Sequence, residues 1–462
     1  MYQIVDFLQL IDEAIWGHFL IGFLVLLGVF LTVRLRGLQF RYLGYALKLA
    51  FTRSDEEAEG DISQFQALMT ALAATIGIGS IAGVATAIAI GGFGAIFWMW
   101  VIALFGMATK YVEALLAVKY RIVDHRGEMS GGPMYYIARG MGKKWRWLAA
   151  MFALAATLAS FAGGNMVQAN SIADAMRNLT GLSPVWTGLI LVVLTGTVLL
   201  GGIGSIGRVC ALLVPVMAAM YIISGLVILV MHAEAIPGSL ALIVTSAFKG
   251  QAATGGFLGA SVTLALQYGV ARGISSNEAG LGSGPIAAAA AKTDLPGRQA
   301  MISMTTVFLS TFIVCTITAL VIAVTGVLGE LDQAGRPLNG APLVMEAFSR
   351  TIPYGASMIT VGLVLFGYST IIGWAYYGER SIEYLLGERA ILYFRILFSC
   401  VVFVGAILSL DIVWPLTDIM NGFMTFPNLI GLLVLSGVAV KESRTFFRLI
   451  QKEKSEKKRT RA

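Results

Sequence analysis

The sequence predicts an all-α polytopic membrane protein of eleven transmembrane helices, one N-terminal helix followed by two sets of five. Three observations carry this. Of the 462 residues, 57% are hydrophobic and only 13% charged, and the mean hydropathy is +0.80; soluble proteins carry about 25% charged residues. Eleven apolar segments each approach the roughly 20 residues that a hydrocarbon core requires. Two of them, each opening a set of five, are interrupted by glycine, at Ala74–Ser80 and at Tyr268–Gly273.

The spans are expected near 15–33, 65–90, 94–118, 147–176, 184–201, 209–231, 257–288, 299–327, 354–377, 390–409 and 412–438. Met1 to Glu13 is mildly acidic and leads into the first span without a signal-peptide pattern. The third span carries Phe97, Trp98 and Trp100 at its outer end, where the membrane interface favours aromatic rings. Ser239 to Phe248 and Pro342 to Phe348 are too short to span and are expected as short helices across the outer face. The resulting division is 1–62 (first helix and cytoplasmic loop), 63–231 (first repeat), 232–256 (extracellular loop), 257–438 (second repeat) and 439–462 (basic cytoplasmic tail).

Orientation follows from Lys and Arg. With the N-terminus outside, the cytoplasmic segments 34–62, 119–146, 202–208, 289–298, 378–389 and the tail from 439 hold 26 of the 33 basic residues. The outer segments hold four: Arg177, Lys249, Arg336 and Arg350. Such an excess is a positive-inside signal. Because five is odd, the second set enters the membrane from the opposite side to the first. That arrangement is an inverted repeat, and paired broken helices in such repeats point to a transporter's binding site.

Composition also excludes. The net charge of +7 is localised in loops and tail, so nucleic acid is not a partner, and no obligate protein partner is implied. Cys210, Cys315 and Cys400 have no metal-ligand or disulfide spacing. Neither H-E-x-x-H nor G-x-S-x-G occurs, so the chain is not expected to be an enzyme. The partners are the lipid bilayer and a small solute. A channel is disfavoured by the two broken helices and by the lack of a repeated filter or charged ring.

The candidate site residues lie at the interruptions and on two other spans. Glycines Gly77 and Gly79, following Thr75, favour unwinding, because glycine weakens a helix and frees its backbone. The half-helix starting near Gly79 offers free N–H groups and a positive dipole end, suited to a carboxylate. Carbonyls around Ala73 and Ile76, at the end of the preceding half-helix, suit a sodium ion. A packing stripe, Gly79-x-x-x-Gly83, is the competing reading. The second interruption neighbours Arg272, Ser275, Ser276, Asn277 and Glu278, and ionisable groups inside a membrane mark function or a structural ion pair. Lys110 and Glu113 are expected to pair locally on one helix face. Asn165 and Gln168 share a face of span four; a substrate ammonium or helix–helix hydrogen bonds could each satisfy them. In span nine, Ser369 and Thr370 could complete a sodium shell, and Trp374 would cap a small pocket.

At these residues the chain resembles the alanine or glycine:cation symporter family, also called the sodium:alanine symporters. The stretches that carry the resemblance are Gly91–Gly106 (GGFGAIFWMWVIALFG), Ser276–Gln299 (SNEAGLGSGPIAAAAAKTDLPGRQ) and Ser369–Glu379 (STIIGWAYYGE). It covers nearly the whole chain. The chain departs at Ile286–Ala290, where many members carry a histidine. The resemblance implies a LeuT-type fold and cotransport of a small neutral amino acid, alanine and/or glycine, with sodium as coupling ion and occasionally with a proton. A proton-coupled symporter is the alternative. It implies a bacterial or archaeal cytoplasmic membrane. Carried onto this sequence, Thr75, Gly77 and Gly79 would hold the substrate carboxylate and Gln168 its ammonium, and Asn165 and Asn277 are also expected among the substrate-binding residues. Trp374 would limit side-chain size, and Ala73, Ile76, Ser369 and Thr370 would form the sodium site.

Overall fold

The structure is a computed structural model and describes residues 8, 11, 15, 16, 18–52, 58–252, 257, 259–332, 334–408 and 413–459. Its helices are α1 (His18–Arg34), α2 (Leu38–Phe51), α3 (Gln64–Thr75), α4 (Gly79–Gly91), α5 (Gly94–Tyr120), α6 (Lys143–Thr180), α7 (Pro184–Leu200) and α8 (Gly202–Met231). They continue as α9 (Ile236–Lys249), α10 (Val262–Asn277), α11 (Gly284–Ala289), α12 (Pro296–Thr325), α13 (Gly340–Ser349), α14 (Gly355–Leu386), α15 (Ala390–Ile407) and α16 (Val413–Arg459). A two-stranded hairpin, Ile122–Val123 with Met129–Ser130, follows α5.

Among the described residues, seven helices are long and apolar enough to cross a membrane, nine when the two bent pairs α1–α2 and α3–α4 each count as one span. The chain is therefore multi-pass, but not as eleven long helices. The fifth expected span, α7, has 17 residues, and the seventh is divided into α10 and α11. Side chains such as Val193, Leu200, Leu212, Ile223 and Val230 point outward on α7 and α8, as a lipid-facing surface requires. The interior is built around α5, which packs against α10, α12 and α1, while α3 packs against α8 and α14.

Two sequence expectations are corrected. Residues 34–62 do not form a plain loop: left-handed Arg36 and Gly37 (φ 57° and 62°) turn the chain by 81° into α2. This helix buries Leu38, Gln39, Ala46 and Ala50 and leaves Phe40 and Phe51 exposed. It is too polar for a span, but has one face for the bundle. The second correction concerns the interruption at Tyr268–Gly273, which is uninterrupted helix. A Cβ at Gly269 would stand 2.4 Å from the Ala95 carbonyl oxygen, and one at Gly273 would stand 2.7 Å from Ile102 Cγ2. These glycines let α10 lie against α5, the packing use of small residues in membranes. The break comes later, at 278–283, where Glu278, Gly280 and Gly282 take φ of 54°, 96° and 83°.

The helices expected over Ser239–Phe248 and Pro342–Phe348 are present as α9 and α13. Phe248 of α9 meets Phe97 and Trp98 edge-on, and α13 packs on α14 and on the first turn of α4. Cys210 and Cys315 are buried, whereas Cys400 faces outward.

Candidate functional site

The first break borders open space at Gly79. Ser63 starts α3 with a reciprocal cap, accepting from Gln66 N–H while the Gln66 side chain accepts from Ser63 N–H. The helix ends at Thr75, and Ile76 leaves helical geometry (φ −88°, ψ 70°) while its N–H still donates to the Leu72 carbonyl. After a 52° bend the chain resumes as a wide π-type turn at Gly79–Gly83 that opens α4. Gly79 is exposed, and a Cβ there would meet nothing within 4 Å. It borders open space, so it is not part of a packing stripe.

Helix α14 closes one side of this break. Thr370 Oγ1 donates toward the Ala73 carbonyl at 3.0 Å and the Phe366 carbonyl at 2.9 Å. A Cβ at Gly77 would stand 2.5 Å from the same Oγ1, so only glycine admits this hydroxyl. Ala73, Gly77 and Thr370 are thus brought together. Ser369 is turned away from α3: its hydroxyl bonds the Phe366 carbonyl at 2.9 Å and touches Met217 Sδ at 3.5 Å. The Thr75 hydroxyl back-bonds to the Ala71 and Leu72 carbonyls.

Span four supplies the amides through a π-type turn at Ala162–Met166 within α6. Asn165 is fully buried and its Nδ2 donates to the Phe398 carbonyl at 2.7 Å, tying α6 to α15. Gln168 Nε2 donates to the Gly163 carbonyl at 3.1 Å, while its Oε1 is buried with no hydrogen-bond partner among the described residues. An unpaired acceptor of this kind suits an ammonium donor. Trp374 lies against Gly164, where a Cβ would stand 2.3 Å from the tryptophan Cβ. It also meets the Tyr377 ring edge-on at 5.5 Å.

The second break is filled by protein. Asn277 turns its Oδ1 to the Ala279 N–H at 3.0 Å and its Nδ2 to Thr311 Oγ1 at 3.2 Å, so it caps the end of α10. The Gly280 and Gly282 N–H groups both donate to Glu113 Oε1 at 3.1 Å, and Lys110 Nζ donates to the Glu278 carbonyl at 3.2 Å. Lys110 and Glu113 therefore do not form the expected local pair; both reach from α5 across to the break. The freed backbone groups of residues 278–282 hold them there more strongly than an i,i+3 contact would. The sequence held the signal, two ionisable residues within an apolar helix, but not the partner. The breaks touch through hydroxyls: Ser80 and Ser276 are 2.9 Å apart, and Ser80 Oγ donates to the Thr75 carbonyl at 3.0 Å.

A charged cluster beyond Trp374 was not foreseen. Arg380, 1% exposed, bonds Glu379 (2.8 Å), Glu128 (2.7 Å) and Glu383 (2.9 Å) and lies 3.4 Å from Asp124. Glu379 also pairs with Arg395 at 2.6 Å. Nearby Asp61 accepts the Met129 N–H at 2.8 Å; burial pushes its carboxyl above the usual range, against the pull of that N–H. The cluster fixes the hairpin at 122–130 to α14. Its signal was Glu379-Arg380 in sequence with the charged turn Asp124-His-Arg-Gly-Glu128.

Comparisons with known proteins give the family. The profile of the sodium:alanine symporter family matches residues 1–461. A sodium/alanine symporter of Methanococcus maripaludis is 52% identical over 448 residues, covering 96% of this chain and 98% of that one. A probable sodium/glutamine symporter of Bacillus subtilis is 36% identical, covering 97% of this chain and 92% of that one. Among solved structures, a manganese transporter of Eremococcus coleocola superposes with a TM-score of 0.55 over 85% of this chain and 89% of that one, at 13% identity, a likeness of fold alone. The chain belongs to the sodium:alanine symporter family, a family of transporters rather than enzymes.

Proposed function

We propose that this protein carries a small neutral amino acid, alanine and/or glycine, into the cell together with sodium by alternating access. The observation that carries the reading is the first break: non-helical backbone after Thr75, open space at Gly79, and a hydroxyl of α14 on a carbonyl in the last turn of α3. Lipid cannot satisfy such backbone, whereas a bound solute can. Sodium sits at the end of α3, held by the Ala73 and Ile76 carbonyls and by Thr370. Ser369 joins that shell after a rotation of its χ1. The substrate carboxylate takes the N–H groups at the start of α4, with Thr75, Gly77 and Gly79 around it. The free Oε1 of Gln168 takes the ammonium. Asn165 and Asn277 keep the surrounding helices in register, and Trp374 limits side-chain size.

The reading retains two sets of five helices, 63–231 and 257–438, related by an inverted repeat in a LeuT-type fold. It places the protein in a bacterial or archaeal cytoplasmic membrane, N-terminus outside and basic tail inside. In support of sodium and alanine stands the relative at 52% identity, which bears that name. Sodium and substrate strengthen each other's binding by the same factor, as linkage demands. The deciding experiment is uptake of labelled alanine into proteoliposomes under an inward sodium gradient, against an equal potassium gradient. Accumulation with sodium alone is expected. Accumulation under neither, or under both equally, overturns the coupling.

A further inference from the structure

Two carboxyls and one ammonium are enclosed where the second break meets α5. Glu113, Glu278 and Lys110 are 0%, 3% and 1% exposed. Glu113 Oε1 accepts three donors: the Gly280 and Gly282 N–H groups, and Asn428 Nδ2 of α16 at 2.6 Å. Glu113 Oε2 has no hydrogen-bond partner among the described residues. Glu278 Oε2 accepts from Ser283 Oγ at 2.6 Å, and its carboxyl lies beside the Trp374 side chain. Lys110 is the cation that faces both carboxyls. From the other elements, Tyr136 faces Glu113 and donates its hydroxyl to Asn428 Oδ1, and Tyr377 of α14 faces Glu278. Leu24 of α1 and Phe152 of α6 close the remainder with hydrocarbon.

With both carboxyls ionised, the cluster carries two negative charges and one positive. A net charge in a buried, apolar site is expensive, and proteins remove it by binding a proton or a counter-ion. The packing favours the proton. A Cβ at Gly280 would stand 2.4 Å from Leu24 Cδ2, one at Gly282 2.7 Å from Pro133 Cγ, and one at Gly284 2.5 Å from Lys110 Nζ. A metal ion would need room among these atoms and would face the Lys110 ammonium; a proton needs no room.

We propose that the Lys110–Glu113–Glu278 cluster holds one exchangeable proton, and that its uptake and release are tied to the substrate pocket through the contact of Glu278 with Trp374. Oε2 of Glu113 is the oxygen that takes the proton without surrendering a hydrogen bond. When the proton leaves, the enclosed cluster gains one negative charge, and Glu278 is the member of it that lies beside Trp374. This link to the pocket rests on the binding site proposed above; the proton site itself does not.

Infrared difference spectra of the purified full-length protein, acid minus alkaline, test the site without any ligand. Subtracting the Glu113→Gln spectrum from that of wild type is expected to leave one titrating carboxylic-acid C=O band, set apart from the water-exposed carboxyls that both proteins share. Glu278→Gln leaves one carboxylate opposite Lys110, so the band should vanish there too, and this variant decides if Glu113→Gln does not fold. Lys110→Met should strengthen the band by about one further proton. A wild-type band that both glutamine variants retain, or no titrating band, overturns the site. The link is tested by calorimetry of alanine binding at saturating sodium in two buffers of different ionisation heat. Buffer-dependent heat and an affinity that changes by up to about tenfold per pH unit are expected for one linked proton. Both dependences should be lost in Glu278→Gln. Buffer-independent heat in wild type overturns the link. If alanine fails to bind at all, the substrate assignment fails, and the infrared band still decides the proton site.

Discussion

The two broken helices undergo the same backbone event and resolve it in opposite ways. At Ile76–Gly79 the chain leaves helical geometry beside open space: Thr370 and Ser80 take the Ala73, Thr75 and Gly77 carbonyls, while a Cβ at Gly79 would meet nothing within 4 Å. At 278–283 it leaves helical geometry and is at once occupied: Glu113 takes two of the freed N–H groups, Lys110 one freed carbonyl, and Asn428 another. A break in a membrane helix therefore does not by itself identify a binding site. What distinguishes the two is that the first borders open space at Gly79, whereas the second is enclosed by charged and amide side chains.

The contrast can be broken by substitution. The largest effect is expected for Gly79→Val. The side chain fits in the fold but fills the open space, so alanine binding should disappear while the protein still folds and inserts. Normal uptake by this variant would remove the first break from the binding site. Next is Glu113→Ala, which strands the Gly280 and Gly282 N–H groups in the interior and removes one of the two acceptors of Asn428 Nδ2. Each buried donor left unpaired costs about 1–3 kcal/mol, so the thermal midpoint in detergent should fall well below wild type. An unchanged midpoint would mean that the second break needs no filling.

A smaller effect is expected for Thr370→Ala, which deletes one oxygen beside the Ala73 carbonyl. A loss of about 1.4 kcal/mol in ion binding raises the half-saturating sodium concentration about tenfold, with the choice among amino acids unchanged. An unaltered sodium curve would exclude Thr370 from the ion site. The smallest effect is expected for Trp374→Leu, which should widen the pocket and raise uptake of amino acids larger than alanine relative to alanine. Unchanged selectivity would place the size limit elsewhere.

Much of the first break was legible in the sequence, because two glycines after a threonine in an apolar run favour unwinding, with a packing stripe as the competing reading. The second was misplaced by several residues for a physical reason. Gly269 and Gly273 look like helix breakers, yet they pack against Ala95 and Ile102, and only the three-dimensional neighbour distinguishes the two uses. Glu278 holds a left-handed φ that its residue type did not announce. Lys110 and Glu113 were readable as unusual but not as braces, since their partners lie about 170 positions away in the chain. The Arg380 cluster escaped for the same reason: it joins α14 to a hairpin some 250 residues earlier.

Gly164 lies in a helix and touches Trp374 rather than open space, yet its missing Cβ is what allows the indole its position. Within a lineage of related carriers, substrate range could then drift without any change among residues that meet the solute. A methyl group gained at 164 would displace the tryptophan and recast the cavity from behind. A catalogue of contact residues alone would call two such carriers identical. With Trp374 as the proposed size limit, position 164 behind it becomes a second place at which selectivity would be set.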